Sequence, residues 1–274
     1  MKHYIISDIH GNFTDLQKFD NYLTDDVIPV FLGDYFDDFG KTQPLQVLDY
    51  IRDKVENHNG IALLGNHDDF WLQTVAGDER GYRNWRRNGG TQTWEDLGIR
   101  DTSFTGVREF ILANLSDYTE FLASLPLTYS DAHRIYVHAG LNWQYPLSEQ
   151  TREDLLWIRN DYYYTLEMNQ IMNKYHFNAL FQAVGQTITS TDYASFRESP
   201  FHVNTTGKVI VSGHTPTYLI TGDLAMPIVK MQHDSLDVPR YVIDGGSPYR
   251  SSAPEGINLL GLDDEGNEIL NTRF

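Results

Sequence analysis

The stretch Val27-Ile28-Pro29-Val30-Phe31-Leu32-Gly33-Asp34-Tyr35-Phe36-Asp37-Asp38-Phe39-Gly40 decides how the rest of the chain is read. The apolar run Val27 to Leu32 has the length and composition of a short buried strand. It breaks at glycine and passes directly into carboxylates. A carboxylate at the carboxyl end of a parallel strand faces the crevice where open α/β sheets bind ligands. Asp34 and Asp37 lie three residues apart on the loop that follows. Two like charges this close repel, so a positive neighbour is expected. A divalent metal is the simplest such neighbour; a solvated acidic loop is the plainer alternative.

Working outward, the same pattern of apolar run, break and polar ligand-type residues recurs. Tyr4 to Ile6 reads as a strand ending in Ser7-Asp8-Ile9-His10-Gly11-Asn12. Phe13, Leu16, Phe19 and Leu23 then fall on one helical face. Leu45, Leu48, Ile51 and Val55 mark a second amphipathic helix with Pro44 near its start. Ile61 to Leu64 is a third strand, ending in Gly65-Asn66-His67-Asp68. This strand–helix order predicts a parallel sheet with covering helices. Residues 69 to about 128 read as mostly helical. Two short helices flank Asn88-Gly89-Gly90, and a longer one carries Val107 to Leu122. Further strands are predicted at Arg134–Val137 before His138, at Val209–Val211 before His214, and at Tyr241–Ile243 before Asp244. Ile257–Leu262 and Glu268–Leu270 fit a closing antiparallel pair. Residues 146 to 207 are the least regular, with Tyr162-Tyr163-Tyr164 and a Ser/Thr-rich tract from Thr187 to Ser195. No repeat or linker interrupts the 274 residues, which are therefore read as one domain with cap-like segments at about 69–128 and 160–207.

Composition narrows the function. The net charge is −17, from 38 acidic and 21 basic residues, and no run of Lys or Arg is present. Such a surface repels duplex nucleic acid. Cysteine is absent, so any metal must be held by oxygen and imidazole ligands. The amino terminus lacks the apolar length of a signal peptide, and no stretch approaches the ~20 apolar residues of a membrane span. The chain reads as cytosolic, and the sequons at Asn12, Asn114 and Asn204 carry no weight.

Five strand ends thus offer metal-competent residues: Asp8 and His10; Asp34 and Asp37; Asn66 and His67; His138; His214. Singly, each has a duller explanation, such as a helix cap, a turn or a satisfied structural histidine. Jointly they predict a site across the edge of one sheet. Two divalent ions ~4 Å apart need a bridging carboxylate, and Asp34 is the natural bridge. Oxygen and imidazole ligands without sulfur favour manganese foremost, then iron or zinc, over calcium.

The blocks Asp8-Ile9-His10-Gly11, Gly33-Asp34-Tyr35-Phe36-Asp37, Gly65-Asn66-His67-Asp68, His138-Ala139-Gly140 and Gly213-His214-Thr215-Pro216 resemble, in order and spacing, those of calcineurin-like metallophosphoesterases. The bacterial and phage branch of the serine/threonine phosphoprotein phosphatases, which includes the phage lambda phosphatase, is the most similar. Asn88-Gly89-Gly90, Leu125-Pro126-Leu127, Leu156-Trp157-Ile158-Arg159 and Ile243-Asp244-Gly245-Gly246 match as well. The resemblance implies a four-layer α/β/β/α sandwich with a helical cap. It implies Asp8, His10 and Asp34 on a first metal, and Asp34, Asn66, His138 and His214 on a second. His67 would be the general acid, oriented by Asp37, and Arg159 would grip phosphate oxygens. The substrate would be a phosphorylated protein or a small phosphoester.

One position departs from the family. Asp38 stands where the phosphoprotein phosphatases carry a phosphate-binding arginine, and Phe39 is an extra residue before Gly40. Arg86, Arg87 or Arg250 could supply that charge from another loop; ordinary helix surface is the plainer reading of the Arg86-Arg87 pair. Three functions fit the sequence. The first is a phosphoprotein phosphatase-like phosphomonoesterase. Hydrolysis of diadenosine tetraphosphate or other nucleotide polyphosphates is the second. An inactive metal-holding protein is the third.

Overall fold

Alternation along the strands builds the layers. In β1 (Lys2–Ile6), Ile5 faces one way while Tyr4 and Ile6 face the other; in β2 (Val27–Phe31), Val30 opposes Phe31. The same division recurs in β5 (Arg134–Val137), where Tyr136 opposes Ile135 and Val137. It recurs again in β6 (Val209–Ser212) and β8 (Arg240–Val242). Side chains of successive strand residues point to opposite faces, so a strand apolar on both faces must be covered on both.

The computed structural model describes residues 1–38, 40, 42–174, 201–221, 227–234, 236–246 and 256–274. Phe39, Arg250 and the tract 187–195 lie outside the described residues, as does much of the segment 160–207. Two five-stranded sheets stack face to face. The first has the order β10-β9-β1-β2-β3, with β3 at Ile61–Ala62, β9 at Asn258–Leu262 and β10 at Glu268–Arg273. Strands β1, β2 and β3 are parallel, and β9 and β10 add antiparallel partners beside β1. The second sheet has the order β4-β5-β6-β8-β7, with β4 at Thr128–Ser130 and β7 at Val229–Met231. Its central strands β5, β6 and β8 are parallel, with antiparallel β4 and β7 on the edges.

Ile5, Val30, Leu32, Leu63, Tyr136 and Val211 belong to the core between the sheets. His3 and Tyr136 stitch that interface with a buried Nδ1···Oη contact of 2.7 Å. Outside the first sheet lie α1 (Phe13–Leu16), α2 (Pro44–Asn57), α3 (Asn66–Ala76), α4 (Glu79–Trp85), α5 (Thr91–Asp96), α6 (Phe104–Asn114) and α7 (Ser116–Ser124). Trp71, Trp85, Trp94, Val107 and Leu122 share one cluster there with Ile6, Phe31 and Leu48. Outside the second sheet lie α8 (Arg152–Trp157), α9 (Asn160–Tyr163) and α10 (Leu166–Lys174), with Tyr162, Tyr163 and Tyr164 buried beneath. The order of layers is α/β/β/α.

Three expectations are corrected. The five ligand-bearing strand ends belong to two sheets: β1, β2 and β3 on one, β5 and β6 on the other. Both sheets are buried on both faces, so their strands look alike in sequence. The helix expected over Val107–Leu122 is two, broken at Leu115, whose backbone leaves the helical region at φ −132° and ψ 31°. The first predicted helix is short and continues as a tighter 3₁₀ helix over Gln17–Tyr22. Strands β4 and β7 were not anticipated; three residues each are too few to show a period.

Candidate metal centre

Asp8 and His10 follow β1, Asp34 follows β2, Asn66 and His67 open α3, His138 follows β5, and His214 follows β6. All line one open cleft of 1090 Å³ except His138, which lies fully buried behind it. Ligand atoms of Asp8, His10 and Asp34 lie within 4.8 Å of one another, and so do those of Asp34, His138 and His214. Asp34 is common to both groups.

The backbone is bent hard to achieve this. Six described non-glycine residues have positive φ, and five are in or beside the cluster: Asp8 (54°), His10 (50°), Asp34 (58°), Asp37 (72°) and His214 (66°). Such conformations cost of order 1–3 kcal/mol each and persist only where the surroundings impose them. The surroundings here are identifiable. The buried Asp68 carboxylate accepts N–H bonds from Asp34 (2.9 Å), Tyr35 (3.0 Å) and Gly65 (2.8 Å), fixing the β2 and β3 turns together. Gly65 is required by close approach, since a Cβ there would sit 2.2 Å from Asp34 N and Oδ1. The His67 N–H donates to Asp34 Oδ1 (2.9 Å). The His214 N–H donates to Asp8 Oδ2 (3.0 Å), bridging the two sheets.

The donor set fits a cation. His138 donates Nδ1–H to Leu32 O (2.8 Å), which leaves its Nε2 as a lone pair. That Nε2 lies 2.9 Å from Asn66 Oδ1, itself 2.8 Å from His214 Nδ1. Nδ1 of His10 likewise faces Asp37 O at 2.7 Å, freeing Nε2. The His138 Nε2 lone pair thus faces the Asn66 carbonyl oxygen, and two acceptors at that distance repel unless a positive centre lies between them. Among the described residues, His214 Nε2 is buried with no hydrogen-bond partner.

Electrostatics agree. Burial pulls the His138 and His214 imidazoles below their usual range, so both are neutral and ligand-competent. Burial opposes ionisation of Asp34, but positive charge on the neighbouring imidazoles, of which His67 is the one held up, overrules it and holds the carboxyl low. Burial pushes the Asp8 carboxyl up, with Asp244 and Asp34 adding to it. Burial pulls His67 down, yet Asp34 and the Asp37 hydrogen bond overrule it and hold the ring up at about 9.

A family model, Calcineurin-like phosphoesterase, matches residues 1–218. The chain belongs to that family. This calcineurin-like phosphoesterase is accordingly a metal-dependent phosphoester hydrolase; the family uses a two-metal centre, and residues that could hold metal are present in the two groups that share Asp34. Solved structures with the same fold include a protein described as a diadenosine tetraphosphatase, 17% identical, with TM-score 0.54 over 98% of this chain and 93% of that one. A metallophosphoesterase from Sphaerobacter thermophilus is 18% identical, with TM-score 0.51 over 100% of this chain and 88% of that one. A protein serine/threonine phosphatase from Saccharomyces cerevisiae is 12% identical, with TM-score 0.54 over 98% and 78%. No curated protein matches the chain.

Other predicted residues of this phosphoesterase fall as follows. His67 Nδ1 lies 3.1 Å from Asp37 Oδ2. Arg159 is exposed at the cleft, donating from one nitrogen to His214 O (3.1 Å) and Thr215 Oγ1 (2.8 Å). Asp38 is 2% exposed and lines the cleft. Arg86 and Arg87 are exposed and do not line it, as the surface reading had it. Sequence reasoning quoted Asp68 without giving it a task, and missed Trp85 and Thr93, both bonded to Asp37. Their placement around Asn88-Gly89-Gly90 was the available signal.

Proposed function

We propose that the chain hydrolyses phosphomonoesters in the manner of the serine/threonine phosphoprotein phosphatases of bacteria and phage, with residues 1–274 acting as one catalytic domain. The observation that supports this is His67. Its main chain is tied to Asp34 and its ring to Asp37, beside the two overlapping ligand clusters.

In this reading Asp8, His10 and Asp34 hold one divalent ion. Asp34, Asn66, His138 and His214 hold the other, with manganese the first candidate. Two divalent ions held there would lower the pKa of water toward neutrality and would offset phosphate charge. Asp37 accepts from His67 Nδ1–H, which leaves Nε2–H to protonate the departing oxygen. Arg159, with one nitrogen committed to the loop after β6, turns its other N–H groups to phosphate oxygens.

Beyond the phosphate position, Asp38, Glu153, Asp154 and Asp161 line the cleft, and Arg159 is the one lysine or arginine among its described lining residues. A polyphosphate chain would set several further negative charges against these carboxylates, whereas a single phosphate on a neutral or basic leaving group would not. This favours the monoester over the dinucleoside polyphosphate.

A substrate screen of metal-reconstituted protein tests the reading. Phosphopeptides and p-nitrophenyl phosphate should be hydrolysed with higher kcat/KM than bis-p-nitrophenyl phosphate or diadenosine tetraphosphate. Preference for diadenosine tetraphosphate would replace the phosphatase reading with the nucleotide one.

A further inference from the structure

Resting on the reading of His67 as general acid, we infer that Trp85 and Thr93 are positioning residues for proton delivery. They act by fixing the plane of the Asp37 carboxylate. Asp37 is 1% exposed. Its Oδ1 accepts both Trp85 Nε1–H (2.8 Å) and Thr93 Oγ1–H (2.5 Å), and its Oδ2 faces His67 Nδ1 at 3.1 Å. A carboxylate with one oxygen saturated by two donors cannot rotate about Cβ–Cγ without losing both bonds. The second oxygen is thereby aimed at one place, and the imidazole that docks there has its Nε2 aimed as well.

The two donors arrive from opposite sides of one turn. Trp85 is the last residue of α4, Thr93 lies in the first turn of α5, and Asn88-Gly89-Gly90 joins them. Gly89 has φ 97° and packs on the loop that carries Asp37. A Cβ there would lie 2.9 Å from Asp38 N and 3.2 Å from Asp37 C. The turn therefore brings both donors to the carboxylate from a helical layer that contributes no predicted metal ligand between Asp68 and Asn114. Trp85 and Thr93 are both 0% exposed, and the partners of Trp85 Nε1 and Thr93 Oγ1 are both Asp37. Packing alone at position 93 would be met by valine, a near-isostere without the donor. Phenylalanine at position 85 keeps an aromatic ring without the N–H but is smaller, so a loss of stability is expected there besides the loss of the bond.

The test compares Trp85→Phe, Thr93→Val and Thr93→Ser with the parent and with His67→Asn. Each is assayed on an alkyl phosphate and on p-nitrophenyl phosphate at verified metal content. An alkoxide needs protonation to leave, whereas p-nitrophenolate hardly does. Thr93→Val and Trp85→Phe should each lower kcat/KM on the alkyl phosphate about tenfold, a fraction of the ~10²–10⁴-fold available to acid catalysis, and change p-nitrophenyl phosphate by less than about twofold. Thr93→Ser, which keeps the hydroxyl, should restore the parent ratio. Equal losses on both substrates in the Thr93 and Trp85 variants would overturn the inference and leave these residues as packing only. If His67→Asn itself loses equally on both substrates, the acid assignment falls and the inference falls with it. If His67→Asn is selective and Thr93→Val is not, the inference alone fails. Should Thr93→Val not fold, the ratio in Trp85→Phe decides.

Discussion

At the scale of residues, the centre is a set of groups that each depend on a neighbour of opposite kind. Asp34 shows this most strongly, since it is the one residue shared by both ligand groups. Asp34→Asn should therefore lower retention of both metals, while His214→Ala should lower mainly one. Elemental analysis after dialysis reads the difference, and full occupancy in Asp34→Asn would remove Asp34 from the bridge. Asp68 makes a second case. Its carboxylate is buried beside Asp34 and accepts three N–H bonds. Asp68→Asn would turn an amide N–H₂ toward donors that need an acceptor. An unmade bond to a buried group costs about 1–3 kcal/mol, so the variant should unfold at lower urea concentration. A midpoint equal to the parent's would show that water replaces the lost acceptor. Ligand types were legible in the sequence because carboxylates and imidazoles after apolar runs are few. The task of Asp68 was not, because a carboxylate that holds a turn and one that holds a metal are spelled alike.

Among elements, the helical layer and the loop after β2 meet at the turn 86–90. Gly89→Ala puts a methyl group 2.9 Å from Asp38 N at a φ of 97°. The expected outcome is a loss of about 1–3 kcal/mol, the range for a non-glycine residue in a strained backbone region. Thermal unfolding measures it, and an unchanged Tm would mean that the turn yields freely. Strands that bear ligands were visible in the sequence because each is a short apolar run ending in glycine or a polar residue. The break at Leu115 was hidden, since Val107, Ile111, Phe121 and Leu122 keep one apolar face across it and enter one core. Periodicity reports which face is buried and is silent on whether the axis bends.

For the whole molecule, the proposed ligands are divided between two sheets. Alternation was too subtle to assign strands to sheets, because both sheets are covered on both faces. The His3–Tyr136 contact across the interface has a measurable consequence. Burial holds His3 down at about 4, with Arg134 adding to it, against an ordinary 6.5. Between those values the unfolded chain binds a proton that the folded chain refuses, so stability falls as pH drops from about 6.5 to about 4. The full effect is at most about 3 kcal/mol, at 1.36 kcal/mol per pH unit, and solvent screening reduces it. His3→Gln should show a shallower decline of the urea midpoint over this window, and an identical decline would place the acid sensitivity elsewhere.

The division of ligands also orders events in time. Asn66 and His214 meet at one oxygen although 148 positions separate them in the chain. A ribosome adding ~5–20 residues per second needs roughly 7–30 s to cover that gap. During it, the emerging chain presents Asp8, His10, Asp34 and Asn66 without His214, and for about the first half also without His138. Such a half-site offers a passing cation only part of its coordination. On the proposed ligand assignment, choice of metal belongs to the finished sandwich, and metal should be taken up after the second sheet closes. Ribosome-stalled chains ending before residue 209 should release manganese on gel filtration, whereas the released protein should retain it.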